Sequence, residues 1–301
     1  MTLDHWPQTT RLTLESAIRE GANYLDQHEL TYGHGTDNSL DEAAWLVLEA
    51  MGLSPLDAPD YTRELSLSDK TRARDYLQQR AMNKTPAAYI TGRTWFAGLE
   101  FYADARALVP RSPLAEPIAQ GFCDVLDPTA VTRVLDLCTG GGCIAIASAY
   151  AFADADVDAA DISADALALA HKNRELHGLE ARVQLIQSDL FDALDSDTPY
   201  DMILSNPPYV DAEDMAALSP EFAAEPELGL TAGDDGLSIV RRILAEAADY
   251  LSPAGVLVCE VGNSAPALAR AFPQLPFQWL DFAHGGEGIF LLSRDDLQRS
   301  Y

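Results

Sequence analysis

From Thr132 onward the chain alternates short apolar runs with helical segments, and this alternation limits the possible fold more than any other feature. Strand signals fall at 133–137, 157–161, 183–187, 202–205, 256–261 and 288–293, with helical patterns such as 164–176 and 237–251 between most of them. Strands separated by helix-length crossovers predict an α/β fold: a parallel, doubly wound sheet with helices on both faces. The last two signals, around 277–281 and 288–293, lie too close for a crossover helix and should pair antiparallel.

The chain before this point has a different texture. Residues 12–28 place apolar side chains at helical spacing, and Ser39-Leu40-Asp41-Glu42 has the capping-box pattern before AAWLVLEAMGL. A third helix is expected over 68–82, and Pro86 ends the helical pattern. Residues 93–104 alternate around Gly98 as a hairpin would, and Ser112-Pro113 reads as a helix start. The expected division is a helical domain at 1–85, a hairpin and linker at 86–120, and an α/β domain at 121–301.

Charge narrows the partners. The net charge is −27. Residues 1–120 hold 11 Lys and Arg against 17 acids, and the rest hold 9 against 30. No basic footprint for nucleic acid is visible, so DNA is not expected as a partner. An acidic surface suits a basic protein substrate, although solubility or salt adaptation explains the same excess. The four cysteines follow no CxxC spacing and the six histidines do not cluster, so no metal is expected and the thiols read as reduced and buried. No apolar run reaches membrane-spanning length, and the opening residues lack a basic stretch before an apolar core. The expectation is a cytoplasmic protein with no membrane partner.

The run Val134-Leu135-Asp136-Leu137-Cys138-Thr139-Gly140-Gly141-Gly142 is an apolar strand opening into a glycine-rich turn before the helix CIAIASAYAF. The turn allows close backbone approach, and the helix start offers free N–H groups. The G-x-G-x-x-G spacing of a dinucleotide site is absent, and Asp136 stands at the strand end, where it would repel a pyrophosphate but could anchor an ammonium group. Asp161 closes the next strand, where a carboxylate can accept two ribose hydroxyls. Ser188-Asp189-Leu190 then offers a carboxylate and an apolar surface for an adenine. An amine, a ribose and an adenine without phosphate describe S-adenosyl-L-methionine.

The fourth strand ends in Ser205-Asn206-Pro207-Pro208-Tyr209-Val210. An amide nitrogen is a poor nucleophile because its lone pair is delocalised into the carbonyl. A site that methylates it should accept hydrogen bonds from both amide protons and aim the emerging lone pair at the methyl donor. Asn206 Oδ1 and the Pro207 carbonyl suit those roles, with Pro207 and Pro208 fixing the backbone and Tyr209 as an aromatic wall. No strong base is needed, since the proton can leave after transfer. The NPPY signature occurs in methyltransferases acting on planar nitrogens, both adenine amines and glutamine amides, so the chemistry is narrower than the substrate.

Further segments carry a resemblance: Tyr32-Gly33-His34-Gly35-Thr36-Asp37-Asn38, Trp95-Phe96-Ala97-Gly98, Leu108-Val109-Pro110-Arg111-Ser112-Pro113, Asn206 through Asp211, Glu225-Pro226-Glu227-Leu228-Gly229-Leu230 and Gly233-Asp234-Asp235-Gly236-Leu237. Along almost its whole length the chain resembles the bacterial protein-glutamine methyltransferases, among them those acting on large-subunit ribosomal protein L-three. Relatives acting on peptide-release factors share NPPY but typically lack YGHGTDN and carry an acidic pair where this chain has Ser112-Pro113. The resemblance implies a small helical N-terminal domain that helps bind the protein substrate, joined to a seven-stranded, Rossmann-like class I methyltransferase domain. It implies that loop 138–142, Asp161, Leu190 and Asn206 contact S-adenosylmethionine, that Asn206 to Tyr209 hold the amide, and that S-adenosyl-L-homocysteine is the product. Cys138 stands where many relatives have glycine, which is tolerable if the backbone there is extended. Gly33 and Gly35 mark His34 as part of a structural loop or docking edge, not a base; Arg111, near the domain junction, reads as either a surface residue or a substrate contact. Glutamine methylation of a release factor, and adenine methylation of nucleic acid, are the alternative activities.

Overall fold

The computed structural model describes residues 2–54, 58–123, 125–282 and 286–299. The chain forms two compact units, one of Met1–Thr94 with Ala103–Ala105 and Ser219–Ala224, the other of Trp95–Tyr102, Arg106–Leu218 and Glu225–Tyr301.

The first unit is helical: α1 (Leu14–Leu25), α2 (Ser39–Ala50), α3 (Leu67–Asn83) and α4 (Ala87–Thr91). The capping box expected at Ser39 is absent, because Asn38 takes the cap and its side chain accepts from the Asp41 N–H at 2.9 Å. A true capping box starts α3, with Ser66 and Asp69 bonding each other's backbone. Charge is buried between these helices. Arg80 of α3 ion-pairs with Glu42 of α2, donates to Glu221 at 3.1 Å and to the Thr31 carbonyl at 2.8 Å, and is 1% exposed. His34 is buried with its ring against Phe222, centroids 4.7 Å apart, in a turn closed by the Gly33 N–H on the Thr36 carbonyl.

A two-stranded hairpin, β1 (Arg93–Phe96) and β2 (Leu99–Tyr102), turns through Ala97 and Gly98, both with positive φ, as two-residue hairpins require. The short helix α5 (Ala115–Ala119) begins two residues later than a Pro113 start would give, because Leu114 occupies the cap position and Ser112 holds it through the Leu114 N–H.

The second unit carries β3 (Arg133–Leu137), α6 (Cys143–Ala151), β4 (Asp156–Asp161), α7 (Ala164–Leu176), β5 (Val183–Gln187), β6 (Tyr200–Ser205), α8 (Ala212–Ala217), α9 (Ser238–Tyr250), β7 (Leu251–Glu260), α10 (Ala265–Ala271), β8 (Gln278–Trp279), β9 (Ile289–Ser293) and α11 (Arg294–Gln298). Seven strands form one sheet in the order β5-β4-β3-β6-β7-β9-β8. β3 to β7 run parallel, and β9 is antiparallel to both β7 and β8, as the short connection required.

Alternate residues of each central strand enter two apolar layers. Val134, Val157, Met202, Leu204 and Val258 join α6 on one face. Leu135, Leu137, Ile203, Leu257 and Cys259 join α9 and α11 on the other. A sheet covered on both sides needs strands apolar at nearly every position, hence the continuous runs in the sequence. Cys143 and Cys259 are buried free thiols, but Cys138 is only partly buried and Cys123 is exposed, since it lies in a turn outside the sheet. Among the described residues no helix is long and apolar enough to cross a membrane.

Candidate active site

Strand order reverses between β3 and β6, the first leading to β4 and β5, the second to β7. Ligands bind outside the carboxyl ends of strands at such a point. Leu137 and Ser205 are register partners there, and Ser205 Oγ donates to the Leu137 carbonyl at 2.9 Å. Cys138 and Asn206, the next residues, therefore leave the sheet side by side.

The loop after β3 turns abruptly. Cys138 has φ 59°, a left-handed conformation where the sequence reading required an extended one. The turn brings the Thr139 N–H to the Ala160 carbonyl of β4 at 3.0 Å, which an extended residue would carry past. Burial pushes the Cys138 thiol far up, so it is no thiolate. Gly142, φ 83°, ends the loop and starts α6. A Cβ there would lie 3.1 Å from that of Ala170, so both conformation and space favour glycine. Gly141 is pinned by Asn173, which donates to its carbonyl at 2.8 Å.

Asp136 is fully buried. Its Oδ2 accepts from Thr139 Oγ1 at 2.5 Å and from the Ala145 N–H at 3.0 Å, while Oδ1 has no hydrogen-bond partner among the described residues. Burial pushes this carboxyl up to about 7, against those two hydrogen bonds. A buried carboxylate oxygen without a donor at the head of a glycine loop fits a cationic ligand group, and the ammonium of S-adenosylmethionine is one. Asp161 ends β4 with Oδ2 on the Gly140 N–H and Oδ1 on the Ser163 N–H, both at 2.8 Å. Burial raises its carboxyl too, and each oxygen keeps a second lone pair. Beyond β5, Asp189 pairs with Arg242 of α9 at 2.8 Å, and Leu190, φ 51°, is buried in the layer shared with Phe191.

After β6, the Asn206 carboxamide is half-buried and hydrogen-bonds to no described residue. Pro207 is buried and Pro208 half-buried. Tyr209 is held at both ends: Ser264 Oγ donates to its carbonyl, and its phenol donates to Glu260 Oε1, each at 2.9 Å. Val210, beyond the end of β6, forms an isolated parallel bridge with Thr231. Under the Tyr209 ring lies Gly262, where a Cβ would come within 2.6 Å of the ring. Arg111 forms a bidentate pair with Glu225, at 2.7 and 2.9 Å.

Sequence reasoning missed Asn173, Glu260 and Gly262. An asparagine on the buried face of α7 and an acid ending an apolar strand were their only marks.

Fold and loop define a class I methyltransferase. The chain matches the methyltransferase small domain family over residues 119–274. It is 47% identical to the ribosomal protein uL3 glutamine methyltransferase of Xanthomonas campestris pv. campestris, over 95% of this chain and 92% of the relative. It is 45% identical to the enzyme of the same name from Francisella tularensis subsp. tularensis, over 95% of this chain and 91% of that one. The solved hMettl16 catalytic domain, in complex with the MAT2A 3'UTR hairpin 6, shares the fold at a TM-score of 0.52 and 16% identity, over 75% of this chain and 81% of that one. The chain belongs to the bacterial protein-glutamine methyltransferase family.

Proposed function

We propose that this chain transfers a methyl group from S-adenosylmethionine to the side-chain amide nitrogen of a glutamine in ribosomal protein uL3. The observation that carries the chemistry is the position of Asn206: it leaves the sheet beside the glycine loop, where strand order reverses between β3 and β6, with its carboxamide bonded to no described residue. The substrate is supported by the relatives, named for uL3 and matched over nearly their whole length.

In this reading loop 138–142, Asp136, Asp161, Asp189, Leu190 and Asn206 hold the cofactor, with Asp136 Oδ1 facing its ammonium. Bound, S-adenosylmethionine supplies a methyl carbon on a cationic sulfur, which keeps the bonding electron pair and leaves as S-adenosylhomocysteine. The chain makes the amide reactive. Asn206 Oδ1 and the Pro207 carbonyl accept hydrogen bonds from the two amide N–H groups, stabilising the charge that builds on nitrogen as it attacks. Pro207 and Pro208 keep that carbonyl from rotating away. The Tyr209 ring stacks on the planar carboxamide and fixes the face it presents. The positively charged nitrogen of the product then loses a proton to solvent. Residues 1–85, together with the downstream stretch Ser219–Ala224, serve as the substrate-binding domain, 86–120 as hairpin and linker, and the rest of 121–301 as the methyltransferase domain; the acidic surface draws in a basic ribosomal protein, and the reaction is cytoplasmic.

The test supplies labelled S-adenosylmethionine with purified uL3, release factor or DNA in separate reactions and maps the label by mass spectrometry. Label on one glutamine of uL3 is expected. Label confined to release factor moves the substrate, and label confined to DNA removes the protein-substrate reading.

A further inference from the structure

We propose that Glu260 is a positioning residue for methyl transfer: its carboxylate, steadied by Ser112, locks the Tyr209 ring in the orientation that receives the substrate amide. The proposal rests on Tyr209 being the wall of the amide site, as argued above.

Glu260 is the last residue of β7, paired in register with Ile289 and only 5% exposed. Two hydroxyls converge on it, Tyr209 on Oε1 at 2.9 Å and Ser112 on Oε2 at 2.5 Å. Their direction is settled. Ser112 Oγ already accepts from the Leu114 N–H, so its proton points at one Glu260 oxygen, and the Tyr209 phenol donates to the other. A carboxylate accepts from the two hydroxyls on two separate oxygens; a glutamine keeps one oxygen, enough for the Tyr209 phenol, and turns an NH2 group toward Ser112.

A buried carboxylate is a costly way to hold a half-buried tyrosine, since an apolar side chain would fill the same space without desolvating a charge. Burial raises the Glu260 carboxyl, while Ser112, Tyr209 and the nearby Arg111 hold it down. The hydrogen bond does what packing cannot, because it fixes the ring's tilt through the phenol tip. The other contacts hold the backbone around the ring. Ser264 anchors the Tyr209 carbonyl, and Gly262 lets the backbone lie flat under the ring. An unlocked ring would still fill the space, but would meet a planar amide at many tilts.

The experiment compares Tyr209→Phe, Glu260→Ala, Glu260→Gln, Ser112→Ala and the double variant Tyr209→Phe/Glu260→Ala. It measures kcat and KM for uL3, calorimetric affinity for S-adenosylmethionine, and the crystal structure of each folded variant. Removing a single orienting hydrogen bond should lower kcat/KM for uL3 about tenfold in Tyr209→Phe, with cofactor affinity within about twofold of wild type. Glu260→Ala should match it, and the double variant should be no worse than either, because both delete the same interaction. Glu260→Gln should recover most of the loss, and Ser112→Ala should show a smaller one. Tyr209 should change its tilt in the Glu260→Ala and Ser112→Ala structures.

Additive losses in the double variant, or an unmoved ring in those structures, overturn the proposal. Tyr209→Phe, which leaves the carboxylate in place, decides the matter should Glu260→Ala not fold. Tyr209→Ala separates the two levels of inference: wild-type turnover in that variant removes the amide-site reading itself, whereas impaired Tyr209→Ala beside normal Tyr209→Phe removes only the role of Glu260.

Discussion

Asn173 Nδ2 lies 2.8 Å from the Gly141 carbonyl, so a side chain of α7 sets the height of the glycine loop. The same amide spans to β2, donating to the Tyr102 carbonyl at 3.2 Å and accepting its N–H at 2.7 Å. Every polar atom of a fully buried side chain is thereby used, and three backbone groups depend on it.

Asn173→Ala leaves those backbone groups without a partner, and the expected destabilisation is about 2–4 kcal/mol. A urea titration measures it. A change below about 0.5 kcal/mol, the ordinary size for an uninvolved surface position, would contradict the structural role.

Cofactor affinity should depend on pH through Asp136. Burial raises this carboxyl to about 7, so the ligand-free protein holds a proton there at lower pH. A cationic ligand group prefers the ionised form, so binding must expel that proton. Affinity for S-adenosylmethionine should therefore fall about tenfold for each pH unit below about 7 and level off above it. Calorimetry in buffers of different ionisation enthalpy should show close to one proton released per ligand at pH 6. Asp136→Asn should bind weakly with a flat profile, and a steep profile in that variant would assign the effect elsewhere.

Asn206→Ala removes one of the two proposed amide acceptors without breaking a side-chain hydrogen bond to any described residue. The expected loss is about 2–4 kcal/mol in kcat/KM for uL3, with the thermal midpoint nearly unchanged. Turnover close to wild type would refute the role of this carboxamide.

The helical unit offers a test of buried charge. Arg80→Met strands Glu42 and Glu221 in the interior, and should destabilise that unit by about 3–5 kcal/mol in chemical denaturation. Replacing Glu42, Arg80 and Glu221 together by apolar residues should recover much of the loss; no recovery would mean that the network sets the packing of α2 on α3.

What was legible in the sequence follows the range of the interactions. The parallel strands were plain because a sheet buried on both faces needs unbroken apolar runs, and Asp136, Asp161 and Asn206 stood out at their carboxyl ends. Local competition blurred the details: Asn38, one residue before Ser39, took the helix cap, and Cys138 turned left-handed where an extended thiol was expected. The supports of the site could not be read. Glu260 meets Tyr209 across 51 positions and Ser112 across 148, and nothing local to an acid at a strand end specifies either partner.

The helical unit also includes Ser219–Ala224, a stretch found far downstream, shortly after Tyr209 in the chain. A fragment ending near Thr94 would thus lack Glu221 and Phe222, so Arg80 would face one carboxylate instead of two and His34 would lose its ring neighbour. Expressed alone, such a fragment should be poorly folded, and no single cleavage point divides this polypeptide into two self-sufficient pieces. A graft of the helical region onto another catalytic scaffold would have to bring this short downstream insert along with it.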